Sequence, residues 1–302
     1  MKRIKLFIVL LALTVITAGC SSAEGIYSDK GQVFRKVIPQ DISSLDSALV
    51  TDTVSFDLFN QVYEGLYTLD KNDKAQPGVA KEMPKKSNGG KTLTIKLRKD
   101  AKWSNGDPVT AQDFVFAWKR VVNPDTASEY AYIMYDLKNA EDINMGKKDV
   151  DKLGVKALDD HTLKIELNKP IPYINEMLAF GTYLPQKEKV VKKHGEQYAT
   201  TADKTVFNGP FKVQDWKVED KIQLVKNEDY WDKKKVHLDR VNYKVLKDQQ
   251  AGASLYDTGS VDDTTISADQ VDKYQGNPGL KKRLLASTFY ICLLYTSDAA
   301  DE

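Results

Sequence analysis

The stretch Lys91–Arg120 reads KTLTIKLRKDAKWSNGDPVTAQDFVFAWKR and predicts a strand, a turn and a helix in that order. In its first part Leu93, Ile95 and Leu97 alternate with polar residues, which is typical of a half-buried strand. Residues 103–108 (WSNGDP) predict a turn, because Asn-Gly tolerates positive φ and proline cannot extend a ladder of hydrogen bonds.

The third part of this stretch predicts a helix that begins after Thr110 and stops at Asn123-Pro124. Thr110 and Asp113 have the spacing of a capping box, with Asp in place of the usual Glu. The apolar residues of the helix recur as one stripe: Phe114, Ala117, Trp118, Val121 and Val122. We therefore interpret the large aromatic side chains of the stretch as core residues, since no nucleophile, metal cluster or phosphate loop accompanies them.

Other segments of the chain also have the periodicity of regular elements. Alternation predicts strands at 33–38, 161–167 and 241–245, and the second of these parallels residues 91–97, so we expect both in one small sheet. The predicted helices are 54–66, 187–194 with Gly195 after its end, and 249–258.

The same stretch, written LR-x-x-A-K-W-S-x-G-x-P-V-T-A-x-D-F-V-x-x-W-x-R, resembles the signature of the family 5 extracellular solute-binding proteins. Within that family it is most similar to the oligopeptide-binding lipoproteins, which are the capture subunits of ABC importers. Four shorter matches support the resemblance: S-S-L-D at 43–46, E-G-L at 64–66, N-G-P-F at 208–211 and N-x-x-Y-W at 227–231. The resemblance extends over about residues 33–291.

The resemblance implies an α/β protein with the type II periplasmic-binding-protein fold and an extra small α+β domain. The first lobe would be discontinuous, at 32–64 and 190–280, with the extra domain inserted at 65–189. A second ligand-binding lobe would start at 281–291 and is otherwise expected to be missing. We interpret residues 292–302 as a non-native tail, because the resemblance stops there.

The amino terminus has the organisation of a lipoprotein signal peptide. Residues 1–19 combine a positively charged start with an apolar run at 6–16, which is too short to span a bilayer stably. Small residues precede Cys20, which resembles the lipidated cysteine of a lipobox, and 20–31 would form a polar tether. The expected location is the outer face of the cytoplasmic membrane, or the periplasmic space of a Gram-negative cell. The alternative is an ordinary signal peptide with an incidental cysteine.

Composition argues against several classes of protein. The 302 residues include 44 Lys and Arg against 43 Asp and Glu, whereas a nucleic-acid-binding protein would have a basic surplus. His161, His194 and His237 have no metal-binding spacing, and the sequence contains no serine-hydrolase elbow, Walker A loop or dinucleotide fingerprint. We therefore expect no enzyme activity, no metal and no cofactor.

The resemblance implies six peptide-binding positions: Thr51, Asp52, Thr53, Tyr130, Phe180 and Tyr256. The first three follow the S-L-D element, and short side chains beside exposed backbone suit the capture of an extended peptide. An alternative for this segment is that Thr53 or Ser55 caps the following helix, and the alternative for each aromatic residue is core packing.

Taken together, the sequence predicts the solute-binding subunit of a peptide ABC transporter, which captures extracellular oligopeptides by lobe closure and delivers them to the permease. The expected partners are an oligopeptide, the ABC permease and ATPase subunits, and the membrane through the lipid anchor; the protein itself would be a monomer. Two alternatives stay open. One is a lipoprotein sensor or peptide-pheromone receptor on the same fold, and the other is a non-peptide solute such as a nickel complex or a sugar.

Overall fold

The computed structural model describes residues 31–282. Its strands are β1 (Val33–Ile38), β2 (Tyr67–Leu69), β3 (Ala75–Pro77), β4 (Lys85–Ser87), β5 (Thr92–Lys96), β6 (Val155–Asp159), β7 (Thr162–Glu166), β8 (Phe211–Lys217), β9 (Lys221–Lys226) and β10 (Arg240–Val245). Its α-helices are α1 (Thr53–Val62), α2 (Ala111–Val122), α3 (Ala140–Asn144), α4 (Ile174–Met177), α5 (Glu188–His194), α6 (Gln249–Asp257) and α7 (Val271–Tyr274). Residues 31–265 belong to one compact unit, and residues 266–282, which include α7, belong to another.

The larger mixed sheet has the strand order β1-β10-β9-β8. β1 is parallel to β10, whereas the other neighbouring pairs are antiparallel. The strands predicted at 33–38 and 241–245 are confirmed, and the structure pairs them although they lie about two hundred residues apart in the chain.

The smaller sheet, β4-β5-β7-β6, is antiparallel throughout and lies within the predicted extra domain. β5 and β7 are direct neighbours, with Ile95 opposite Leu163, which confirms that the two similar segments share one sheet. Helix α2 packs against β6 of this sheet. Trp103, Phe114 and Trp118 are fully buried, as expected from their pattern.

The stretch at residues 91–120 folds as its sequence indicates. The Trp103 N–H donates to the Asp107 carbonyl at 2.8 Å, and Gly106 takes the positive φ of 86° that the Asn-Gly turn needs. Thr110 is the N-cap of α2, and its N–H donates to Asp113 Oδ2 at 2.9 Å. The helix ends at Val122, and its C-cap Asn123 lies directly before Pro124.

Two predicted helix ends differ from the structure. Helix α1 stops at Val62 rather than at residue 66, because Tyr63 is extended and the chain then continues into β2. Its N-cap is Asp52, so the segment 51–53 does cap this helix, as the alternative interpretation held, but through Asp52 rather than Thr53 or Ser55. A carboxylate accepts the free N–H groups of a first turn at least as well as a hydroxyl.

Several predictions fall outside the described residues. They are the signal peptide at 1–19, Cys20, all but the last residue of the tether, most of the expected start of the second lobe at 281–291 and the tail at 292–302. The boundaries assigned to the lobes and the extra domain stay predictions. Within residues 31–282 no helix is long and apolar enough to cross a membrane.

Candidate functional site

The segment Thr51–Thr53 leads directly into helix α1, and Asp52 is committed to its own chain. The Asp52 carboxylate accepts from the N–H of Ser55 at 2.8 Å and from the hydroxyls of Ser43 and Ser55 at 2.6 and 2.7 Å. Burial raises the pKa of Asp52, but these donors outweigh burial and hold the pKa below its ordinary value. The carboxylate therefore shapes the segment, while Thr53 is left exposed.

Four aromatic side chains form a continuous wall beside this segment. We call them the aromatic wall: Phe56, Tyr130, Tyr132 and Phe180. Phe56 stacks on Tyr130 with ring centroids 6.0 Å apart and an interplanar angle of 16°, and it lies 4.9 Å from the Phe180 ring. Tyr132 contacts Tyr130 edge-on at 5.8 Å. Tyr132 is 58% exposed and Phe180 is 37% exposed, so part of this wall faces solvent.

One hydrogen bond joins the aromatic wall to the predicted contact segment. The Tyr130 hydroxyl donates to the backbone carbonyl of Thr51 at 3.0 Å. The structure thus brings together five of the six residues expected to bind peptide, around an exposed apolar surface next to extended backbone. The sixth, Tyr256, lies half-buried on α6 and is not part of the aromatic wall as defined here.

The sequence interpretation missed Phe56 and Tyr132. Phe56 is a large apolar residue that falls off the buried stripe of α1, which includes Leu58, Phe59 and Val62. An aromatic residue off the core stripe has to pack against another element or face a ligand. That departure from the stripe is the signal that could have identified it.

The family-like motifs meet at a second place, which we call the motif junction: Glu64, Arg98, Asn208, Tyr230 and Trp231. Glu64 is buried and accepts from the Tyr230 hydroxyl at 2.5 Å and from Trp231 Nε1 at 2.7 Å. Its backbone is held by the Asn208 side chain through two hydrogen bonds of 2.8 and 3.1 Å. The Arg98 guanidinium stacks 3.2 Å from the Trp231 ring centroid. Segments far apart in the sequence are therefore fastened together here, and these motif residues act as a scaffold.

A third cluster of side chains connects the loop before Thr51 to the end of the stretch at 91–120. Arg120 makes a bidentate ion pair with Asp46, with both N–O distances 2.7 Å. Gln186 Nε2 adds hydrogen bonds to Asp46 Oδ1 at 2.9 Å and to the Ser47 hydroxyl at 3.0 Å. Asp46 belongs to the S-L-D element, and Arg120 is the last residue of the signature. The ion pair between these two motifs therefore holds the loop that leads to the candidate site.

Comparison with known proteins gives a consistent assignment. The family model for bacterial extracellular solute-binding proteins, family 5 Middle, matches residues 74–297. The oligopeptide-binding protein OppA of Bacillus subtilis (strain 168) is 37% identical over 93% of this chain and 52% of its own length.

Two solved structures are similar to this chain. The substrate-binding domain of an oligopeptide ABC transporter from Bacillus anthracis str. Ames matches with a TM-score of 0.80 and 49% identity, covering 82% of this chain and 48% of that one. The pheromone receptor PrgZ, solved for its mode of peptide binding, matches with a TM-score of 0.80 and 38% identity, covering 82% and 50%.

The matches cover most of this chain but only about half of each relative. The chain spans about half the length of the curated relatives it matches. The family model nevertheless covers most of the 302 residues, and the fold agrees with the type II periplasmic-binding class implied by the sequence resemblance. The chain therefore belongs to family 5 of the bacterial extracellular solute-binding proteins.

Proposed function

We propose that this chain contributes one face of a site that captures extracellular oligopeptides for an ABC permease and its ATPase. One observation carries the proposal: an exposed aromatic wall is hydrogen-bonded, through Tyr130 and the Thr51 carbonyl, to the backbone that leads into α1. An extended peptide needs backbone partners along its length and roomy apolar contacts for its side chains, and this arrangement offers both.

In this proposal each predicted residue has a distinct part. Thr51 and Thr53 offer backbone groups, Tyr130 and Phe180 offer ring surface, and Asp52 keeps the segment in shape. Tyr256, on α6, would contact a more distant part of the ligand. No resident cofactor or metal is needed, because binding consists of backbone pairing and apolar contact.

An NMR titration of the isotope-labelled chain with an alanine pentapeptide, with and without a central phenylalanine, tests the proposal. Because the chain spans about half the length of its relatives, we expect weak binding, with a Kd above about 1 mM. We expect the shifted resonances to include Thr53, Tyr132 and Phe180. The absence of any shift at the solubility limit of the peptide, or shifts that spare all three of these residues, would count against peptide capture.

The same titration also tests whether the site prefers a non-peptide solute. Glucose and a nickel–histidine complex serve as competitors that share no extended backbone with a peptide. If either shifts the wall resonances more strongly than the pentapeptides do, the site takes a non-peptide solute.

Peptide sensing is a second candidate function, favoured by the similarity to a pheromone receptor. Both functions use the same peptide-binding face, so binding data alone do not separate them. A neighbouring permease and ATPase gene pair supports import, whereas a gene that stands apart from them supports sensing.

We further propose that Cys20 is lipidated and that the protein is a monomer held at the outer face of the membrane. Two acyl chains on one residue hold a protein far more firmly than a single chain does. Metabolic labelling with palmitate in the native host should mark the wild-type protein and lose at least about nine-tenths of its signal in Cys20→Ala. Equal labelling of the variant would exclude Cys20 as the lipidated residue.

A further inference from the structure

Phe56 belongs to the aromatic wall and contacts two of its rings, Tyr130 and Phe180, which come from distant parts of the chain. We propose that Phe56 is the positioning residue of the peptide site: it sets the Tyr130 ring, and through the Tyr130 hydroxyl it sets the Thr51 carbonyl. This inference rests on the proposed function, and it assigns a role to a residue outside the resemblance-based set.

The ring contacts support this role. Phe56 stacks nearly parallel on Tyr130 and lies 4.9 Å from Phe180, while Tyr130 and Phe180 are 6.2 Å apart. On its other side Phe56 meets the buried Phe59 ring edge-on at 6.0 Å. Aromatic pairs at these distances prefer defined angles, so a ring held between three others has little freedom to turn.

Gly181 shows how closely Phe56 is held. A Cβ built on Gly181 would lie 2.3 Å from Phe56 Cδ1 and 2.4 Å from Cε1, far inside contact distance. Gly181 does not have a positive φ, so its backbone does not require glycine. A side chain at this position would therefore collide with the Phe56 ring unless one of them moved.

The surface that presses on Phe56 is itself firmly fixed. Next to Gly181, the Tyr183 carbonyl accepts from Trp118 Nε1 at 2.9 Å, and the Tyr183 hydroxyl donates to the Ile133 carbonyl at 3.0 Å. The Phe56 N–H is tied to the Asp52 carbonyl at 3.2 Å, in the first turn of α1. Phe56 is thus braced from both sides, and its removal would release Tyr130.

In this proposal the position of the Thr51 carbonyl depends on the packing of Phe56. The Tyr130 hydroxyl can donate to Thr51 only while its ring keeps its present orientation, and stacking on Phe56 supplies that orientation. Without Phe56, Tyr130 would sample other rotamers, and the site would have to be ordered again on each binding event. Such ordering lowers affinity without removing any direct ligand contact.

A size-complementation cycle tests the packing part of the proposal. Gly181→Ala should lower the Tm by about 5 °C, because the new methyl group must displace the Phe56 ring. In a Phe56→Ala background the same change should cost less than about 1 °C, because the space is then open. An equal cost in both backgrounds would overturn the proposed packing.

Peptide titration tests the positioning part. Phe56→Ala should raise the Kd for the phenylalanine-centred pentapeptide about tenfold and shift the Thr51 and Tyr130 resonances in the absence of peptide. Phe56→Leu keeps the bulk of the side chain but not the ring stacking. Its Kd should therefore lie between those of the wild type and Phe56→Ala. Val218→Ala, which removes an exposed apolar side chain elsewhere, is the matched control and should leave the Kd unchanged.

The outcomes distinguish this proposal from the proposed function. If the wild-type chain binds neither pentapeptide, peptide capture fails, while the complementation cycle still decides whether Phe56 holds the aromatic wall. If the wild-type chain binds and Phe56→Ala matches Val218→Ala in Kd, Phe56 is not a positioning residue.

Discussion

Replacement of Arg120 by alanine is expected to lower the free energy of unfolding by about 4 kcal/mol. The Asp46 side chain is only 3% exposed, and Arg120 neutralises it with two 2.7 Å contacts. Without the guanidinium, Asp46 would be a buried charge whose remaining side-chain partner is Gln186, and removal of one partner costs far more than the intact pair contributes. Chemical denaturation at neutral pH measures the difference.

The same substitution should also loosen the candidate site. Asp46 lies in the loop that leads to Thr51, so hydrogen exchange of residues 46–53 should accelerate more than exchange in β9. Lys192→Ala is the matched control, since it breaks an exposed pair with Glu188 and should cost less than about 1 kcal/mol. A similar loss of stability in the two variants would contradict the structural role of the Asp46–Arg120 pair.

The second large effect concerns the pH dependence of stability at the motif junction. Burial raises the pKa of Glu64 from 4.5 to about 7, although the Tyr230 and Trp231 donors and the charge of Arg98 act in the opposite direction. The folded protein therefore holds a proton that the unfolded chain releases at lower pH. The stabilisation is complete below about pH 4.5 and is lost as the pH rises through about 7, a change of about 3 kcal/mol.

Glu64→Gln should remove this pH dependence. Glutamine has the shape of the protonated side chain, so its amide can donate to the Tyr230 hydroxyl and accept from Trp231 Nε1. At pH 8 the variant should be more stable than the wild type by up to about 3 kcal/mol, and near pH 4.5 the two should be similar.

Urea denaturation across this pH range makes the comparison. Glu228→Gln is the matched control, because its carboxylate is largely exposed and lies in the same part of the chain. If the wild type and Glu64→Gln keep the same slope of stability against pH, Glu64 is ionised in the folded state, and its two donors and the charge of Arg98 outweigh its burial.

Local patterns predicted the regular elements well where one face of an element is buried. The strand–turn–helix at 91–120, the pairing of β5 with β7, and helices α5 and α6 follow from periodicity, capping and turn residues. The elements themselves depend on neighbours within a few residues, and the pairing of β5 with β7 was expected because the two segments have similar sequences.

The elements that were missed have mixed patterns. β8 (FKVQDWK) carries a register shift between Val213 and Asp215, which interrupts the alternation of a regular strand. β9 (KIQLVK) has only a short alternating core. The bulge is meaningful only beside its partner strand, so tertiary pairing decided it.

The resemblance placed Thr51, Tyr130 and Phe180 in the candidate site, and the structure joins them through contacts that the sequence could not state. Tyr130 reaches Thr51 across 79 positions in the chain, and Phe56 contacts both Tyr130 and Phe180 without belonging to any motif. Such contacts depend on how helix α1 packs against the following segments.

The sequence by itself determined the family, the composition class and most of the regular elements, because these depend on short-range spacing and a long signature. Only the tertiary structure decided what the motifs do. It joined Arg120 to Asp46, buried Glu64 between Tyr230 and Trp231, and gave Phe56 its place in the aromatic wall. The physical reason is that burial, ion pairing and ring stacking act between side chains that are close in space, whatever their separation along the chain.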